Sequence, residues 1–109
     1  MPKNNRYTIG NKIDNLLTEM IETISYASFL PKNEIEEKLI SVKISVRKND
    51  TIKLFVMILW ESRSIDDKKY ANLSQTINYI GRMLGGWSGQ LAKARQAKQN
   101  SPITKTGEK

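Results

Sequence analysis

Seven cations carry the chemistry this sequence can offer. Lys43, Arg47, Lys48 and Lys53 fall in one short stretch, and Arg82, Lys93 and Arg95 in a second. Positive side chains at roughly regular spacing are what neutralising a phosphate backbone requires. Lys43 and Arg47 are four apart, so on a helix they share a face. Equally, each of these charges taken singly fits a solvated helix surface. Tyr7, Tyr26, Tyr70 and Tyr79 are scattered over helical positions and read as half-buried packing residues, so no stacking platform for bases is expected. Binding through such cations would be sequence-independent and salt-sensitive.

Catalysis is poorly provided for. The 109 residues contain neither histidine nor cysteine, which removes imidazole and thiolate as base, nucleophile or metal ligand. The acidic pairs Asp66-Asp67 and Glu36-Glu37 stand where helices are expected to begin, and there the helix dipole accounts for them. No glycine-rich phosphate loop follows a strand and opens a helix. A non-enzyme without metal or cofactor is expected.

The run Ile80-Gly81-Arg82-Met83-Leu84-Gly85-Gly86-Trp87-Ser88-Gly89 puts four glycines into a helical pattern. Each costs about 1 kcal/mol relative to alanine in a helix interior. Gly81, Gly85 and Gly89 are four apart and form one smooth ridge. That ridge suits close packing by another backbone or a large ring, with Trp60 and Trp87 as the natural partners. The other reading is that Gly85-Gly86 simply breaks the helix.

These groups must be positioned by helices. The chain is of one-domain length, with a formal charge of +7 and a pI near 9.7, a balance that favours anionic partners. Ile9, Ile13, Leu16, Leu17, Met20, Ile21, Ile24 and Ala27 recur in helical steps, so a first helix is expected over about 9–29, capped by Thr8 and ended by Pro31. A second is expected over about 33–63, with Asn33 as its cap. Within it Val42, Ile44 and Val46 alternate like a strand, and a hairpin turning at Arg47 to Asp50 competes with the helix. The third, about 65–98, starts at a Ser64 cap. It carries Tyr70, Leu73, Ile77, Ile80, Leu84, Trp87 and Leu91 in unbroken heptad spacing. Residues 1–98 form the domain, and residues 99–109 read as a disordered tail. The longest apolar stretch, Leu54 to Trp60, is too short to span a bilayer. With no signal core at the N-terminus, a cytoplasmic protein that avoids membranes is expected.

Arg6-Tyr7-Thr8-Ile9-Gly10-Asn11-Lys12-Ile13 resembles the opening of the second helix in the bAvd-like four-helix-bundle family. The run from Ile80 to Trp87 resembles that family's hallmark near the end of its last helix. The family comprises accessory variability determinants of diversity-generating retroelements and relatives encoded in ribosomal RNA intervening sequences. The resemblance covers roughly residues 6 to 91. It implies an all-α antiparallel helical bundle of the four-helix type, here with the first helix missing or short. It also implies a homo-oligomer, in the family a barrel-like pentamer with a basic surface. The partners implied are RNA or complementary DNA and a reverse transcriptase. Without a first helix, an apolar groove along the first and last remaining helices would stand open.

Two functions therefore compete. In one, the chain is a nucleic-acid accessory protein that contacts phosphates through Lys43, Arg47, Lys48, Lys53, Arg82, Lys93 and Arg95. In the other it is a structural module, docking a protein through the heptad seam, with Trp60, Gly81, Gly85, Gly86, Trp87 and Gly89 at the contact. A small toxin or antitoxin-like regulator fits the size and charge but has no motif behind it.

Overall fold

The computed structural model describes the backbone of residues 3–108 and the side chains of residues 8–98. The described backbone is helical, in three elements: α1 (Lys3–Phe29), α2 (Ile35–Glu61) and α3 (Asp67–Glu108). The hairpin alternative is absent. Val42, Ile44 and Val46 lie inside α2, because the small helix-propensity cost of β-branched residues is outweighed by burial of Leu39, Val42, Ile52 and Val56.

Helix α2 is central. α1 and α3 each pack against it and make no close backbone approach to one another. The molecule is an elongated wedge of 67 × 20 × 15 Å, its length set by α3. Met20 and Ala27 from α1, Leu39, Val42, Ile52 and Val56 from α2, and Ile77, Leu84 and Leu91 from α3 form the core. The heptad seam of α3 is thus largely spent on α2: Ile77, Leu84 and Leu91 are buried, and Tyr70, Ile80 and Trp87 are half-buried against the same cluster. Leu17 and Ile21 on α1, and Leu73 and Met83 on α3, stay exposed.

Several helix ends differ from expectation. α1 begins at Lys3, so Thr8 lies within the helix and caps nothing. The N-cap position of α2 is Glu34, without a side-chain cap, because Pro31 starts a turn in which Glu34 N–H bonds Pro31 O (3.0 Å). Asn33 instead offers its carbonyl to Lys98 Nζ at 3.3 Å. α3 is capped by Asp66 rather than Ser64. Its Oδ1 accepts the Lys69 N–H at 2.8 Å, and Ile65 and Tyr70, which flank this cap, both pack on the core as a hydrophobic staple. Ser64 is held back by the turn, where Arg63 adopts φ 64°. α3 also continues to Glu108, past the boundary at Lys98 expected from sequence. The segment Gln90 to Lys98 is rich in strong helix formers, and extending a formed helix is far easier than starting one.

Candidate nucleic-acid interface

The cations separate into two groups. Lys43, Arg47, Lys53, Arg82 and Lys93 are exposed and form no ion pair among the described residues. Lys48 and Arg95 are half-buried and engaged. Lys48 Nζ reaches Glu19 Oε1 at 2.9 Å, tying α2 to α1, and Arg95 meets Glu36 at 3.4 Å, tying α3 to α2. Sequence spacing could not reveal this, since each acid lies on a different helix from its cation. Both pairs are exposed enough to add little stability, but they leave their cations less free for phosphate.

A larger feature escaped the sequence reading. Between Lys68 and Lys98, α3 carries Lys68, Lys69, Arg82, Lys93, Arg95 and Lys98 and not one acid. Its outward stripe, in steps of four and three, runs Lys68, Asn72, Gln75, Tyr79, Arg82, Gly86, Gly89, Lys93, and all eight are exposed. At about 1.5 Å rise per residue this stripe is about 37 Å long. The signal was present in the sequence as the partner face of the heptad seam, offset from it by two residues at Tyr70 and Asn72.

Tyr79 is the second omission. It is 56% exposed rather than packed, and the Arg82 guanidinium stands 6.0 Å from its ring centroid. An exposed ring beside a planar cation is a surface on which a base can stack.

A shallow cleft of about 350 Å³ runs between α2 and α3 beside this stripe. Lys53, Asp50 and Arg82 line it together with Asn49 and Gly81. Asn49 is buried, and its Nδ2 donates to Ile77 O at 3.1 Å while Oδ1 has no partner. Gly81 is the one glycine of the run at a close approach: a Cβ there would stand 3.2 Å from Asn49 Nδ2. Gly85, Gly86 and Gly89 have nothing within 4 Å of a built Cβ, and the helix passes through them unbroken. Within the chain neither tryptophan packs along that ridge. Trp60 lies at the α2–α3 corner, stacked on Tyr70 (centroids 4.2 Å, 7° between planes), with Nε1 donating to Asp67 Oδ1 at 2.8 Å. Tyr70 is fifteen residues from Gly85, about 22 Å along the helix. Trp87 sits half-buried against the core.

The corner holds a cleft of about 670 Å³, lined in part by Glu61, Arg63, Asp66 and Asp67. Its two aspartates are already employed, Asp66 as helix cap and Asp67 as acceptor for Trp60. Among the described residues no group of three acidic side chains is arranged to hold a metal ion. No helix among them is long and apolar enough to cross a membrane. No family model, curated protein or solved structure matches the chain.

Proposed function

We propose that the chain is a non-enzymatic accessory protein that binds RNA or complementary DNA along α3. The observation that carries the reading is the acid-free, exposed stripe from Lys68 to Lys93, with Tyr79 beside Arg82 at its centre. Lys68, Arg82 and Lys93 on α3 supply point charges for phosphates, and Lys43 and Lys53 on α2 extend the positive surface. Tyr79 and Arg82 offer one stacking position, and Asn72 and Gln75 add donors and acceptors without repelling an anion. Gly86 and Gly89 leave the helix surface bare between Arg82 and Lys93, so a sugar-phosphate chain can lie close to it.

The bAvd-like resemblance adds a reverse transcriptase as the protein partner, and a further helix as the kind of element that would complete the bundle. Its support in the fold is the exposure of Leu17 and Ile21 on α1 and of Leu73 and Met83 on α3.

The test is a charge reversal confined to the stripe. The triple variant Lys68→Glu, Arg82→Glu, Lys93→Glu is expected to lose binding to single-stranded RNA at low salt while its circular dichroism stays helical. Undiminished binding by a folded triple variant would overturn the reading.

A further inference from the structure

Helix α2 carries apolar residues on two opposite sides, and one of those sides is uncovered. Its inner positions are buried by α1 and α3. On the opposite side Ile40, Ile44, Arg47, Thr51, Leu54 and Ile58 follow in steps of 4, 3, 4, 3 and 4. That is the spacing of a coiled-coil seam. Ile40 is 53%, Ile44 40% and Leu54 49% exposed, and neither α1 nor α3 shields them. Exposed aliphatic side chains aligned at seam spacing form a face that a partner helix can cover.

Its chemistry says what covers it. Read backwards about Asn49, the seam places aliphatic residues on aliphatic residues at its two ends and polar on polar at its middle. Ile40 maps to Ile58, Ile44 to Leu54, and Arg47 to Thr51. A stripe symmetric under reversal is complementary to itself across a two-fold axis perpendicular to the helix. Charge selects the direction. Two parallel copies would set Arg47 against Arg47. Two antiparallel copies bring each Arg47 level with Thr51 and beside Asp50 of the other, and both Arg47 and Asp50 are exposed and form no ion pair among the described residues.

We propose that α2 pairs antiparallel with α2 of a second copy of this chain, through Ile40, Ile44, Arg47, Thr51, Leu54 and Ile58, with Arg47 and Asp50 exchanging partners at the axis. This does not depend on the nucleic-acid reading, although it assigns Arg47 to the pairing rather than to phosphate. The α3 stripe lies on other surface and stays open in the pair.

Sedimentation of the full chain is expected to give twice the 12.5 kDa of one chain. Ile44→Asp with Leu54→Asp should halve that mass while leaving the circular dichroism helical. The absence of cysteine gives a clean background for direction. A mixture of Ile44→Cys and Leu54→Cys chains, exchanged and then oxidised, should form a disulfide-linked dimer that neither chain forms alone. Arg47→Asp should weaken the dimer, and Asp50→Arg added to it should restore it. A monomeric wild-type chain, a pentamer, or efficient cross-linking of Ile44→Cys with itself would overturn the proposal. RNA binding by the Ile44→Asp, Leu54→Asp monomer separates this outcome from that of the α3 stripe.

Discussion

Asn49 of α2 and Gly81 of α3 meet closely: the Asn49 amide bonds the Ile77 carbonyl at 3.1 Å, and a Cβ at Gly81, one turn further on, would stand 3.2 Å from the same amide nitrogen and press on it. The contact ties α2 to α3 at one alignment within their buried packing. A single buried asparagine has that effect in helical assemblies, where its bond can be made in one alignment only.

Alanine substitution should therefore separate the glycines. At Gly85, Gly86 and Gly89 a Cβ meets nothing, and each alanine is expected to stabilise the chain by up to about 1 kcal/mol through helix propensity. At Gly81 the same gain is offset by the displacement of Asn49. Urea denaturation of the four variants checks this. An equal gain at all four positions would show that the Asn49 contact exerts no constraint.

The turn between α2 and α3 contains the only non-glycine residue with positive φ among the described residues, Arg63 at 64°. A left-handed conformation costs an L-residue about 1–2 kcal/mol, part of which glycine would give back as unfolded-state entropy. Arg63→Gly is expected to raise the denaturation midpoint modestly. Trp60→Ala in the adjoining corner, which removes the Tyr70 stack and the bond to Asp67, is expected to cost about 3 kcal/mol. A loss on Arg63→Gly would mean that the arginine side chain supports the turn.

Tyr26 predicts an alkaline transition. Its hydroxyl donates to Glu37 Oε2 at 3.1 Å, and this bond, with the charge of Glu37 behind it, raises the phenol above its ordinary value of 10.0. The folded state thus holds the phenolic proton more tightly than the unfolded state. The stabilisation is complete below pH 10 and is lost as pH rises through the raised value. Tyrosinate absorbance should show one tyrosine titrating late, and Glu37→Gln should bring it back toward 10. An unchanged titration in that variant would remove Glu37 as the cause.

Much of this fold was legible in the sequence, and the reasons are specific. The heptad from Tyr70 to Leu91 fixed the face by which α3 meets α2, and the apolar steps from Ile13 to Ala27 did the same for α1. Caps were misplaced because several polar residues crowd each turn. Ser64 and Asp66 both satisfy the cap pattern, and only the three-dimensional turn at Arg63 decides between them. The site was legible as positive charge but not as a surface. Spacing could not tell that Lys48 and Arg95 find acids on neighbouring helices, because those pairs span 29 and 59 residues. Tyr79 has the spacing of a packing residue but stays exposed, because the seam of Ile77, Ile80 and Leu84 fills the α2 interface without it. The glycine ridge was assigned to close packing, whereas only Gly81 meets another helix of its own chain.

The salt dependence of RNA binding tests the central claim most directly. Binding of single-stranded RNA to the whole chain should fall linearly on a log–log plot against salt, with a slope of about −0.7 for each phosphate neutralised. Three to five cations at Lys43, Lys53, Lys68, Arg82 and Lys93 then give a slope of roughly −2 to −3.5. Arg82→Gln and Lys93→Gln should each make it shallower by about 0.7. A slope near zero, or one unmoved by both substitutions, would contradict binding along α3.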